Sequence, residues 1–131
     1  MSSENQAIPN NGKGEIMEPT IINSIRLALG LSANGSEFAD EIFMHVNSAL
    51  LILNQNGIGR KIQLTMDSTW EDFKDPTQTE GNEYFEFVPT FVMTKTKILF
   101  DPPPPSNAPY YDGYIKETLW RLKVAYEEPI I

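Results

Sequence analysis

Four consecutive prolines at positions 102–105 constrain this 131-residue chain more than any other feature of its sequence. Proline has a fixed φ and no backbone N–H, so the run cannot continue a helix and favours a stiff, extended conformation. It therefore predicts a rigid corner between two helical segments. We expect Phe100, Asp101, Pro102 and Pro103, with the two prolines that follow, to set the direction of the last helix. The Asp101 carboxylate is expected to cap backbone donors rather than to bind a metal.

Hydrophobic periodicity predicts helices over about 20–30, 37–55 and 109–128. Residues 84–100 fit both a helical stripe and, over 93–98, a strand-like alternation, and their length favours a helix. Ser36 is predicted to cap the second helix, and Ser68 with Glu71 matches a capping box for a short helix ending at Phe73. The side chains expected to face the core are Phe38, Ile42, Val46, Ala49 and Leu53, and on the last helix Tyr111, Ile115, Leu119, Leu122 and Tyr126.

The remaining segments divide the chain into an arm and one domain. Residues 1–18 are polar and predict a mobile N-terminal arm, which leaves a helical domain over 19–131. Residues 58–67 are compatible with a loop or a short β-hairpin, and 75–82 with a polar loop. The glycines at 57 and 59 lack a full phosphate-binding pattern and favour simple loop closure. The predicted fold is mainly α, a small bundle of four to five helices with a long middle loop or short β-hairpin.

Composition excludes several classes of function. The chain has no cysteine and one histidine, which excludes a disulfide framework, a thiolate zinc site, a cysteine nucleophile and a multi-histidine metal site. A net charge of −8 disfavours direct binding to DNA or to an anionic membrane. His45 is predicted to be structural, and the acidic residues 37, 40 and 41 to solvate the start of a helix. We expect a soluble, intracellular protein that is not an enzyme and holds no cofactor or metal.

Two pairs of apolar residues are expected to lie opposite the core faces of their helices. Trp120 and Val124 project away from the core side of the last helix, and Arg121 lies beside them as a polar rim. This arrangement favours an interface with another subunit or a partner protein, because tryptophan is common at interface centres. Met44 and Leu51 project similarly from the second helix, where either another helix of the same chain or an interface could cover them.

The segment Lys-Ile-Leu-Phe-Asp-Pro-Pro at 97–103, followed by a helix containing Trp-Arg-Leu at 120–122, resembles the head-tail connector (head-completion adaptor) proteins of long-tailed bacteriophages. Residues 25–29 leading into an acidic helix that ends at 54–57 are also similar to the start of such proteins, so the resemblance covers about 20–127. It implies a non-catalytic virion protein at the head-tail interface, assembled in the host cytoplasm. It also implies a ring, dodecameric in such proteins, that contacts the portal and a tail terminator or the next connector.

The resemblance further implies that the last helix lies on or beside the portal and that the segment around residues 58–82 contacts neighbouring subunits or the next ring. An acidic chain suits a channel through which DNA passes without specific binding, and a ring needs two unlike surfaces on each subunit. The rival hypothesis is a small acidic intracellular regulator that binds one partner protein through its C-terminal helix. An enzyme that uses carboxylates alone has the least support, because the sequence offers no convergent set of catalytic residues.

Overall fold

The computed structural model of the chain describes residues 19–127, which form five α-helices and one turn of 3-10 helix. The elements in chain order are α1 (Ile21–Ala28), α2 (Ala39–Gln55), α3 (Trp70–Phe73), the 3-10 helix (Gly81–Tyr84), α4 (Phe87–Phe100) and α5 (Ala108–Tyr126). The predicted helical bundle is confirmed, and the ambiguous segment is helical. The predicted arm at 1–18 and the last predicted helical residue, 128, lie outside the described residues.

Helix α4 lies between α2 and α5, and α1 packs against α2 and α4. The buried core is continuous and takes apolar side chains from every α-helix and from the middle segment. Pro89 falls in the first turn of α4, where its missing N–H leaves no helical hydrogen bond unmade. The predicted core residues of α2 and α5 are confirmed with one exception: the side chains buried or partly buried there are Ile42, Val46, Ala49, Leu53, Ile115, Leu119, Leu122, Tyr126 and Tyr111.

The exception is Phe38, which was predicted to lie in the core and is 57% exposed. Phe38 immediately precedes α2 with a left-handed φ of 57°, so its side chain does not continue the buried stripe of the helix. Its ring instead meets the ring of Phe100 edge to face. The prediction that Ser36 caps α2 is also wrong: no side chain caps the helix, and the Ser36 carbonyl accepts from the Ala39 N–H in a turn.

The short helix α3 forms where predicted, but its capping box is shifted by one residue. Thr69 and Asp72 exchange the side-chain hydrogen bonds expected of Ser68 and Glu71. Ser68 instead accepts two backbone hydrogen bonds. Its hydroxyl accepts from the Thr65 N–H, and its carbonyl accepts from the Ile21 N–H. No strand forms within residues 19–127, so the middle segment is the predicted long loop rather than a hairpin.

Two glycines and one glutamine join the start of this middle loop to its end. Gly57 and Gly59 have φ of 81° and 77°, a conformation that side chains disfavour. Gln78 joins them, because its amide nitrogen donates to the Gly57 carbonyl and its amide oxygen accepts from the Gly59 N–H. The residues after α2 therefore close a loop, as predicted, and both Ile58, between the two glycines, and Phe73, at the end of α3, are fully buried.

Candidate assembly interface

The outward face of α5 carries the residues that the sequence analysis selected for docking. Trp120 is 63% exposed and Val124 is 52% exposed, while Leu122 on the opposite face is fully buried. Arg121 lies beside Trp120 and Val124, and its guanidinium donates to the Glu117 carboxylate at 2.9 Å. The structure thus brings a large aromatic, a smaller apolar side chain and a charged pair together on one exposed helix face.

The same helix exposes two tyrosines that the sequence analysis did not select. Tyr110 is 77% exposed and Tyr114 is 49% exposed. At about 100° per residue, Tyr110 projects about 80° from Trp120, on the outward side of α5, and Tyr114 projects about 120° from Trp120, at the edge of that side. A helical projection of residues 108–126 contains this signal. The tyrosines extend the exposed aromatic surface towards the start of α5, next to the proline corner.

Helix α2 exposes a second, separate apolar surface. Met44 is 58% exposed and Leu51 is 41% exposed, and they lie seven residues apart on the face opposite the buried Val46 and Leu53. No helix among residues 19–127 covers them. Helices α2 and α5 both pack against α4, so the two exposed apolar surfaces lie on different helices of the bundle.

The proline corner joins the end of α4 to the start of α5 through backbone hydrogen bonds. The Asp101 N–H donates to the Lys97 carbonyl, and the Pro104 carbonyl accepts from the N–H groups of Asn107 and Ala108. The Asp101 carboxylate does not cap a backbone donor as predicted; it lies 3.9 Å from the Lys97 ammonium and is 73% exposed. Since the corner ends directly on the first turn of α5, it determines where that helix begins.

An open groove of about 590 Å³ lies at this corner. Its walls are the proline run 102–105, Ile98 and Tyr111, which are largely apolar, and its charged lining residues are Lys97 and Asp101. Phe100, at the end of α4, is not among the lining residues; it packs against the core and contacts the Phe38 ring at a centroid distance of 5.1 Å. The corner residues therefore serve both the inner packing of the bundle and an external groove.

A buried arginine, which the sequence analysis missed, fixes the loop before α2. The Arg26 side chain is 1% exposed and makes three hydrogen bonds. Its guanidinium donates to the Ser32 carbonyl at 2.8 Å and, at 2.6 Å each, to the Glu37 carbonyl and carboxylate. The signal was present in the sequence, because Arg26 shares the buried stripe of α1 with Ile22 and Ile25. By holding Glu37, it places Phe38 against Phe100.

The opposite end of α5 is fixed by Tyr126. Its hydroxyl donates to the Asn82 side-chain oxygen at 2.8 Å, and its ring covers Gly81 so closely that a Cβ there would lie 2.3 Å from a ring carbon. Burial raises the pKa of the Tyr126 phenol to about 12. Both ends of α5 are therefore attached to the bundle, while its middle presents the Trp120 surface.

Two further polar groups, His45 and Asp75, make local contacts. His45 lies 3.4 Å from the Glu41 carboxylate one helical turn away, at the edge of the core. Hydrogen bonds from the hydroxyl and N–H of Thr77 lower the pKa of the exposed Asp75 carboxyl. Within residues 19–127, no three His, Asp or Glu residues cluster in a way that could hold a metal ion, and none of the helices there is long and apolar enough to span a bilayer.

A small helical bundle with exposed aromatic surfaces is typical of proteins that bind other proteins. Comparison with family models makes this specific: residues 21–129 match the family described as phage connector protein. The chain therefore belongs to the phage connector family, and the predicted resemblance is confirmed. It is a structural component of a bacteriophage virion, of the head-tail connector class. Searches of curated proteins and of solved structures found no match.

Proposed function

We propose that copies of this chain form a closed ring that lies between the portal and the tail and surrounds the channel for DNA. The exposed surfaces of α5 (Trp120, Arg121 and Val124) and α2 (Met44 and Leu51) are the contacts that assembly buries. Helix α5 lies beside the portal, and the other end of the ring meets a tail terminator or a further connector. The family establishes that the chain is a connector in the virion, and the proposal adds the ring and its contacts to that role.

The observation that carries the proposal is the presence of two separate exposed apolar surfaces, one on α5 and one on α2. A ring needs unlike surfaces on each subunit, because every copy meets its two neighbours through different faces. Further surfaces are needed for the components above and below the ring. A chain that acted through one patch on one partner would have no use for a second exposed apolar face on α2.

The charge of the chain supports its placement around DNA. With 18 acidic residues against 10 lysines and arginines, the net charge is −8. Like charge disfavours adhesion of the phosphate backbone, so DNA can move past such a surface without being held. The two ends of the middle segment at 58–82 are joined by the Gln78 hydrogen bonds. Hydrogen bonds from the Ile21 N–H to the Ser68 carbonyl and from the Trp70 indole to the Ser24 hydroxyl attach the segment to α1, so it is a defined surface for a neighbouring subunit.

The experiment that tests this proposal measures the mass of the purified chain by light scattering, alone and mixed with the portal ring of its own phage. A closed oligomer, or a monomer that forms a ring only on the portal, supports the proposal. A chain that stays monomeric and does not bind the portal at micromolar concentration overturns it.

A pair of variants connects the result to α5. Trp120→Ala should abolish assembly but leave the free energy of unfolding within about 0.5 kcal/mol of the wild type, because the indole is mostly exposed. Tyr84→Ala is the matched control, since it also removes a half-exposed aromatic side chain but from the 3-10 helix. Equal assembly of the two variants would remove α5 from the proposed contact.

A further inference from the structure

We infer that Trp120 of one copy inserts into the proline groove of the next copy, so that these two sites form the lateral contact of the ring. The inference rests on the proposed function, because it assigns a specific pair of surfaces to ring formation. The groove is the open site at the corner described above, lined by the proline run 102–105, Ile98, Tyr111, Lys97 and Asp101.

The groove has the size and chemistry to hold an indole ring. Its volume of about 590 Å³ lies within the range of about 300–1,000 Å³ found for sites that enclose small organic molecules. Proline rings and Tyr111 offer flat apolar walls, and the Lys97 ammonium can approach an aromatic face as a cation–π partner. An exposed tryptophan is the largest apolar side chain that the described surface of this chain offers to such a site.

The charges that flank the two sites are complementary. Trp120 is flanked by Arg121 and Glu117, and the groove carries Asp101 and Lys97. Within one chain, Arg121 pairs with Glu117 at 2.9 Å, and Lys97 pairs with Asp101 at 3.9 Å. Such exposed pairs contribute little, so they can exchange partners across an interface, Arg121 with Asp101 and Glu117 with Lys97.

A chain does not fill its own groove. Trp120 and Tyr111 lie on the same helix, about 13 Å apart along its axis at 1.5 Å per residue. Trp120 does not line the groove and remains 63% exposed. A projecting side chain and a receiving groove at different places on one subunit make a head-to-tail contact, which is the kind that closes into rings.

Charge reversal tests this contact. Arg121→Asp and Asp101→Arg should each weaken self-assembly about tenfold or more, because each places like charges across the contact. The double variant should recover most of the wild-type assembly, since the two charges again attract. The matched control combines Arg121→Asp with Asp112→Arg; it has the same net charge as the double variant, but its arginine replaces an exposed residue outside the groove. It should not recover assembly.

Crosslinking gives a second, independent measurement. The natural chain has no cysteine, so Glu117→Cys and Lys97→Cys variants contain one thiol each. Under mild oxidation, an equimolar mixture should give a disulfide-linked dimer, whereas each variant alone should give little. Recovery by the double variant together with mixture-specific crosslinking supports the contact.

The outcomes separate this inference from the ring itself. If the wild type forms a ring but the double variant and the control behave alike, and the mixture does not crosslink, Trp120 contacts the portal or another component instead and the inference is overturned. If the wild type neither oligomerises nor binds the portal, the proposed function has failed first.

Discussion

Replacing Arg26 by methionine should destabilise the fold more than any exposed charge substitution. Arg26 is 1% exposed and donates three hydrogen bonds, each of which contributes about 1.5–3 kcal/mol when the donor is charged. Their full sum is not lost, because Glu37 is 57% exposed and water can replace the bond to its carboxylate. Methionine also retains the packing of the aliphatic part. The two backbone carbonyls lose their donor, so we expect a loss of about 3–5 kcal/mol.

Urea unfolding followed by circular dichroism measures this loss, and Arg60→Met is the matched control. Arg60 is exposed, and its side chain donates one hydrogen bond, to the Glu71 carbonyl at 3.2 Å. Its replacement should cost about 1 kcal/mol or less. Because small domains are stable by only about 5–15 kcal/mol, the Arg26 variant should lie near the limit of folding. Similar losses for the two variants would refute the argument that the buried guanidinium stabilises the loop before α2.

Two further predictions concern the glycine turn and the end of α5. Gly57→Ala and Gly59→Ala both place a side chain at positive φ, which costs about 1–2 kcal/mol. Only at Gly59 would the new Cβ also lie 2.4 Å from the buried Phe73 ring, so thermal unfolding should show a further loss of at least about 1 kcal/mol there. Equal losses would mean that Phe73 moves aside freely. The pKa of Tyr126, raised from 10 to about 12, gives a pH dependence. Above pH 10 the unfolded chain loses a proton that the folded chain retains, so stability is constant below that pH and falls as the pH rises towards 12. Urea unfolding across this window should show the wild type losing stability relative to Tyr126→Phe, and parallel curves would contradict the assignment.

The helices were predictable because they depend on local periodicity. Ile42, Val46 and Leu53 recur on one face of α2, and the proline run 102–105 separates α4 from α5 whatever the rest of the chain does. The outward position of Trp120 followed from the same projection. Features that depend on contacts between distant residues were not predictable in this way.

Phe38 and Asp101 illustrate this limit. Phe38 fits the stripe of α2, but the backbone before the helix turns to a left-handed conformation and sends the ring to Phe100, 62 residues further along the chain. Asp101 has the sequence context of a cap, yet its carboxylate faces Lys97. The groove at the corner is likewise formed by α4, the prolines and α5 together. Its shape depends on the angle between two helices, which sequence periodicity does not contain.

The attachment of α5 at both ends has a mechanical consequence. The helix is about 28 Å long and is held at its start by the Pro104 carbonyl and at its end by the Tyr126 hydroxyl. A pull applied at Trp120, between these two points, loads both attachments and the packed face of α5 at the same time. Contacts loaded together in shear yield at higher force than contacts that peel one after another. A load received at Trp120, inside the helix rather than at a free end, is therefore shared by both attachments.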